Sequence, residues 1–331
     1  MKKILLSTFY SGKGGSVFIL IKSAEILKKK FDIIFKAPLK EADIENHRLP
    51  CFIAGTDKIK HLPKLVYIFL KELLWVYRNK IDIIYVHDTP SLYIYGLIGK
   101  ILNKKVIYHV HDHNIQRSNR KRYIKLSDFR IYLNENLVNK NDRNYKVIPN
   151  FVEDFGINKG SKKIKIISIV GSICDRKNQI FGVQIMEKLE DKKLYLYGNI
   201  IDDNYYKKIE KYIDNKRVFL KGFRDKKEIL STTDLIFIPS KYEAQPLVFL
   251  EAIANAIPVL AADIDGVRDI AKKIGYEKYL YKEDNIDDCI EKLYLIEKEF
   301  FEKKDIFRER IKEIYSLEIF EKKLIETFLK F

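Results

Sequence analysis

The chain reads as an α/β protein built from two successive doubly wound, parallel-sheet halves. Short apolar runs alternate with amphipathic stretches of helical period, as in a parallel sheet covered by helices on both faces. The alternation stops at a polar, glycine-bearing segment, VEDFGINKGSKK, and then starts again. At 331 residues the chain is long enough for two domains, each with its own core.

In the first half KILLSTF is a strand, SVFILIKSAEILKKK a helix and FDIIFKA a second strand. KLVYIFLKELLWVYRN is a strongly apolar helix, DIIYVHD a strand, SLYIYGLIGKILN a helix and KVIYHVHD a strand. VIPN at 147–150 closes this half. In the second half the strands are KIISIVGS, KLYLYGN, RVFLKGF, LIFIPS and IPVLAAD. Between them lie the helices FGVQIMEKLE, NYYKKIEKYI, KKEILSTT and one that Pro246 begins. Beyond residue 285 the chain is helical and highly charged. The expected division is 1–150, 151–314 and a terminal segment, 315–331.

Composition excludes several classes. No apolar stretch reaches the roughly 18 residues of a membrane-spanning helix, and the first residues read as a buried strand rather than a signal peptide. Cys51, Cys174 and Cys289 are odd in number and far apart, suggesting neither a disulfide framework nor a zinc site, so a reducing cytoplasm is expected. The net charge of +16 suits an anionic partner, unless it only reflects a lysine-rich composition. No nucleic-acid-recognition motif accompanies the charge, so no nucleic acid is expected. Residues 115–130, with Arg117, Arg120, Lys121, Arg122, Lys125 and Arg130, and residues 58–80, with lysines around Trp75, read as solvated faces or as surfaces suited to an anionic membrane.

The most informative stretch is SKYEAQPLVFLEAIANAIPVLAADIDGVRD at 240–269. It places Glu243 in a loop after a strand and Glu251 in the following helix. A helix N-terminus offers amides to a phosphate, and the carboxylates offer acceptors to sugar hydroxyls. The spacing alone strongly favours two solvated surface charges; the surroundings, with AIA and an apolar strand after Glu251, point the other way. The stretch resembles the signature of retaining glycosyltransferases of family 4 (glycosyl transferases group 1, GT-B fold), approximately S-x-x-E-G-F-G-L-V-x-x-E-A-M-A-x-G-x-P-V. Ser240, Glu243, Leu247, Val248, Glu251, Ala252, Ala254, Pro258 and Val259 match, while Ala244, Pro246 and Ala256 replace glycines.

VGSICDRKNQ at 170–179 places a glycine turn and cations at a helix start, which suits a diphosphate, although Arg and Lys there also read as a solvated pair. It resembles the family's G-R-L-x-x-x-K-G/N segment through Gly171, Lys177 and Asn178. Ser172 stands where the family has arginine, and Arg176 is the candidate substitute. YSGKGGSV at 10–17 fails the nucleotide-triphosphate loop pattern because Gly14 follows Lys13. The resemblance makes Gly14 and Gly15 donor-binding. HVHDHN at 109–114 puts His109, His111 and His113 on one side of an extended strand. With no partner cluster visible elsewhere in the sequence, no metal is expected there. His109 reads as a structural histidine, and the resemblance places His111 by the donor sugar.

The resemblance therefore implies two Rossmann-like domains facing one cleft, with the last helix crossing back to the first. It implies catalytic roles for Glu243, Lys177, Arg176 and His111. Donor binding falls to Gly14, Gly15, Gly171, Ser172, Asn178, Gly198, Phe223, Ala244, Gln245, Pro246, Leu247, Val248 and Glu251. Asp112, His113, Asn114 and Arg117 lie on the acceptor side. The implied activity is metal-independent, retaining transfer of a sugar from a nucleoside diphosphate, UDP before GDP, with no cofactor. The acceptor is a glycan or lipid-linked glycan of a bacterial surface polysaccharide, reached at the inner face of the membrane. The departures at Ser172 and Ala256 leave open a catalytically weak nucleotide-binding partner subunit. A nucleic-acid-binding protein, raised by the charge alone, and an epimerase on the same fold are further alternatives.

Overall fold

The computed structural model describes residues 1–10, 14–38, 62–111, 121–157 and 163–331. Two units emerge from the packing: Met1–Pro149 with Phe320–Phe331, and Asn150–Ile319.

The first unit runs β1 (Lys3–Ser7), α1 (Gly15–Leu27), β2 (Asp32–Lys36), α2 (Leu62–Arg78), β3 (Ile83–Val86), α3 (Thr89–Ile101), β4 (Lys105–Val110), α4 (Lys121–Ile124), β5 (Phe129–Tyr132) and β6 (Tyr145–Val147). All six strands are parallel, in the order β2-β1-β3-β4-β5-β6. Ile4, Leu5, Leu6, Ile83, Ile84, Val106 and Ile107 are buried, as expected of strands covered on both faces. β5 and β6 are absent from the sequence reading. They are four and three residues long, interrupted by Arg130 and Lys146, and offer no apolar run to detect.

The second unit runs β7 (Ile166–Val170), α5 (Gln179–Ile185), β8 (Lys193–Tyr197), α6 (Asp203–Ile209), β9 (Val218–Gly222), α7 (Lys226–Thr232), β10 (Leu235–Ile238), α8 (Leu247–Ala254), β11 (Val259–Ala262), α9 (Asp265–Ile274), β12 (Leu280–Tyr281) and α10 (Ile286–Tyr315). Its parallel sheet has the order β12-β11-β10-β7-β8-β9. The order reverses between β7 and β10, so their carboxyl ends flank a topological switch point, where open α/β sheets hold ligands. The core beneath is continuous from Ile167 and Phe237 through Phe249 to Phe300 and Phe307 on α10.

α11 (Leu317–Phe328) leads from the second unit to the first. Its Phe328 packs edge-on against Tyr85 at 5.0 Å, and Glu321 pairs with Lys29 at 2.6 Å. Among the described residues no helix is long and apolar enough to cross a membrane.

Candidate functional site

The loop after β7 begins at Gly171, whose φ of +147° is a region L side chains rarely adopt. The stem of Lys177 lies where a Cβ on Gly171 would stand. Gly198, after β8, has φ +142°, and a Cβ there would collide with the Gly171 carbonyl. The two glycines thus let the ends of β7 and β8 touch. Residues Asp175–Lys177 then form one tight turn, and Asn178 in the left-handed region starts α5. Gln179 donates from Nε2 to the Ser172 carbonyl at 3.0 Å, fixing the loop.

This turn aims Arg176 and Lys177 at the loop after β10. Lys177 Nζ lies 2.6 Å, and Arg176 Nη1 2.9 Å, from the same oxygen of Glu243. The Lys241 amide donates to the Arg176 carbonyl at 2.9 Å, joining the two loops through the backbone. Glu243 is buried. Burial pushes its carboxyl pKa up, but Lys177, Arg176 and a Ser240 hydrogen bond outweigh that and hold it below the ordinary value. Arg176, the candidate substitute for the arginine absent at Ser172, is therefore on the same carboxylate as Lys177.

Pro246 is the residue preceding α8 rather than its first residue. Proline's fixed φ suits both positions. Ala244 and Gln245 come just before this helix, Leu247 and Val248 begin it and pack partly buried against the core, and Gln245 is buried with its Oε1 accepting from the Asn150 amide at 2.7 Å. Glu251, buried one turn into α8, accepts from Lys226 Nζ at 2.5 Å. Its pKa is raised, because burial outweighs the attraction of Lys226. Phe223 is exposed just past β9, one residue before the loop into α7.

Two residues of this site escaped the sequence reading. Lys226 is one lysine among many in sequence, and only the fold brings it to Glu251. Gly266, in the first turn of α9, lies against the backbone carbonyls of Glu243 and Ala244, where a Cβ would clash. A glycine inside a helix was its only signal.

In the first unit Gly14 precedes α1 with an ordinary φ of −91° and open space where its Cβ would be, so neither strain nor packing requires glycine. Gly15 is the first residue of α1. Asp112, His113, Asn114, Arg117 and Lys13 lie outside the described residues, as does Cys51. Cys174 and Cys289 are free thiols. His109 is fully buried and its Nδ1 is 2.8 Å from the Tyr85 hydroxyl. His111 does not stand alone with it. Val86 of β3 is paired with Tyr108 of β4, which brings His87 beside His109 and His111. The partner for HVHDHN that the sequence did not reveal is thus His87, more than 20 residues away in the chain but adjacent in the sheet.

Residues 151–314 match the family model of glycosyl transferases group 1. The match falls on the second unit. The whole chain has the GT-B fold: it superposes on the Anabaena protein HepE in complex with UDP and glucose with a TM-score of 0.83, 16% identity and full coverage of both chains. Among curated proteins, the chain is 24% identical over 273 residues to an Escherichia coli UDP-Gal:alpha-D-GlcNAc-diphosphoundecaprenol alpha-1,3-galactosyltransferase, covering 68% of this chain and 69% of that one. It is 29% identical over 198 residues to a Staphylococcus aureus poly(ribitol-phosphate) alpha-N-acetylglucosaminyltransferase, covering 56% of this chain and 39% of that one. The matched segment contains the Lys177–Arg176–Glu243 cluster, Glu251 and the start of α8.

Proposed function

We propose that this chain is a retaining, metal-independent hexosyltransferase that moves a sugar from a UDP-sugar to a lipid-linked or growing glycan acceptor of a bacterial surface polysaccharide. The observation that carries the reading is the convergence of two cations on one buried carboxylate at the switch point of the second sheet. A diphosphate entering there competes with Glu243 for Lys177 and Arg176. These side chains neutralise the charge that develops on the leaving diphosphate, the role a metal ion fills at other such sites. The free amides at the start of α8 add to the same field. Glu243, released from its cations, accepts hydrogen bonds from the donor sugar, and Glu251 accepts from the ribose hydroxyls.

In the transfer itself, the bond between the anomeric carbon and the diphosphate oxygen breaks with its electrons going to the diphosphate. The acceptor hydroxyl attacks from the same face, and a phosphate oxygen takes its proton. No side chain has to become covalently attached. The diphosphoundecaprenol in the name of the E. coli relative supports a lipid-linked substrate.

Calorimetry with UDP and GDP, followed by turnover with UDP-sugars and NMR of the product anomer, tests this reading. UDP should bind more tightly than GDP, and the product should keep the donor's anomeric configuration. Glu251→Ala should weaken free UDP and UDP-sugar alike, whereas Glu243→Ala should spare UDP and impair the sugar-dependent increment. No binding of either nucleotide, or inversion at the anomeric carbon, would overturn it. Tight UDP binding without donor hydrolysis or transfer would favour the nucleotide-binding partner subunit.

A further inference from the structure

We propose that His87, His109 and His111 form a binding site for one divalent transition-metal ion of the zinc type, at the carboxyl ends of β3 and β4 in the first unit. The site is separate from the diphosphate reading, which lies wholly within the second unit.

The fold assembles the triad from two neighbouring strands. His109 and His111 share a face of β4 because side chains alternate along a strand. Their ring centres are 4.3 Å apart. His87 follows β3 directly, with its ring centre 4.7 Å from that of His109 and 4.8 Å from that of His111. One ring nitrogen from each residue lies within 4.8 Å of the others. Three zinc-bound imidazole nitrogens in tetrahedral geometry stand about 3.3 Å apart, given zinc–nitrogen bonds of about 2.0–2.1 Å. Small side-chain rotations close that difference.

One nitrogen of each ring lacks a partner. Nε2 of His87, of His109 and of His111 are each buried without a hydrogen bond among the described residues. Buried polar atoms without partners are uncommon, and an ion is one of the few things that satisfies three at once. In two of the three rings the other nitrogen is held. His87 Nδ1 is 3.3 Å from the Ser16 carbonyl, which can only accept, so Nδ1 carries the proton and Nε2 presents a bare lone pair. His109 Nδ1 is held by the Tyr85 hydroxyl at 2.8 Å. Such second contacts orient metal-binding histidines and set their tautomer. Three imidazoles, with no thiolate or carboxylate grouped with them among the described residues, suit zinc, cobalt or nickel rather than magnesium or calcium. This gives His111 a different partner from the donor sugar that its place in the sequence implied.

The test uses the full chain freed of metal with a chelator and titrated with zinc or cobalt. One equivalent should bind, and cobalt should show the intense visible absorption of a tetrahedral site. X-ray absorption on the zinc-loaded wild-type chain should find imidazole nitrogens at about 2.0 Å and no sulfur. Tyr85→Phe should weaken affinity by roughly tenfold, and His87→Gln or His111→Gln by more than that. Replacing His47, His61 and His113 together with Gln should leave binding intact. Failure to take up one equivalent, sulfur ligands in the absorption spectrum, or undiminished affinity in folded His87→Gln and His111→Gln variants would overturn the proposal. The absorption measurement on unaltered protein decides the ligand set even where a variant fails to fold.

Discussion

Lys177 and Arg176 reach the same oxygen of Glu243, but they are not equivalent. Lys177 is the more buried of the two and the closer, so its charge is less screened by water. Lys177→Ala should lower turnover by roughly a hundredfold, the usual loss for one electrostatic stabiliser in a closed site. Arg176→Ala should lower it by less, and steady-state kinetics with a UDP-sugar compares them directly. Equal, near-normal turnover in both folded variants would remove the pair from the mechanism. Glu243 also has a pH signature in the ligand-free chain. Its folded pKa lies below the unfolded value, so its contribution to stability is present above the ordinary value near 4.5 and is lost as pH falls through the lowered one. The melting-temperature gap between wild type and Glu243→Gln should narrow between about pH 7 and about pH 3. A gap that widens in acid would contradict the ion-pair assignment.

At the scale of elements, α9 decides where the Glu243 loop sits, because Gly266 allows the helix to touch that loop's carbonyls. Gly266→Ala must push the two apart. The expected result is a folded protein with lowered stability and weaker UDP-sugar binding, since displacement of about 1 Å in a positioning element can cost roughly a hundredfold. Unchanged binding measured by calorimetry would mean that the loop relaxes freely. In the first unit, α2 is tied to β2 by a buried pair, Lys36 with Glu72, which also accepts from the Tyr95 hydroxyl at 2.9 Å. Lys36 stands 3.9 Å over the Trp75 ring. Breaking such a pair on one side leaves a buried charge, so Glu72→Leu should cost about 3–5 kcal/mol. The double variant Lys36→Met, Glu72→Leu should recover much of that, and urea denaturation of both variants measures it.

At the scale of the whole molecule, the +16 charge needs a partner or none. α2 presents Val66, Tyr67, Leu70, Leu74 and Tyr77 to solvent, about one per turn, with Lys71 and Arg78 also exposed. That is the pattern of a helix lying on an interface, with apolar side chains inserted and lysines against anionic headgroups. Co-sedimentation should favour anionic over neutral vesicles and weaken near 1 M salt, where the Debye length is about 3 Å. A variant with Tyr67, Leu70 and Leu74 changed to Ser should lose binding even at low salt. Indifference to vesicle charge would leave the basic excess as composition, and a soluble acceptor would become the better reading.

The sequence by itself determined the two α/β halves, because buried parallel strands need continuous apolar runs such as ILL, DIIYV and LIFI, and helices between them need a different period. It also determined which loops carry Glu243, Lys177 and Gly171 and which helix carries Glu251, since these lie next to such runs. It did not determine β5, β6 or β12, whose two to four residues are too short to show a period. Which side chains meet was decided only by the tertiary structure. Sheet order brings the ends of β7 and β10 side by side, and with them Arg176, Lys177 and Glu243, 66 residues apart in the case of Lys177. The same reason hid Lys226 beside Glu251 and His87 beside His109 and His111. Strand neighbours are chosen by crossover connections, and that choice leaves no local pattern in the chain.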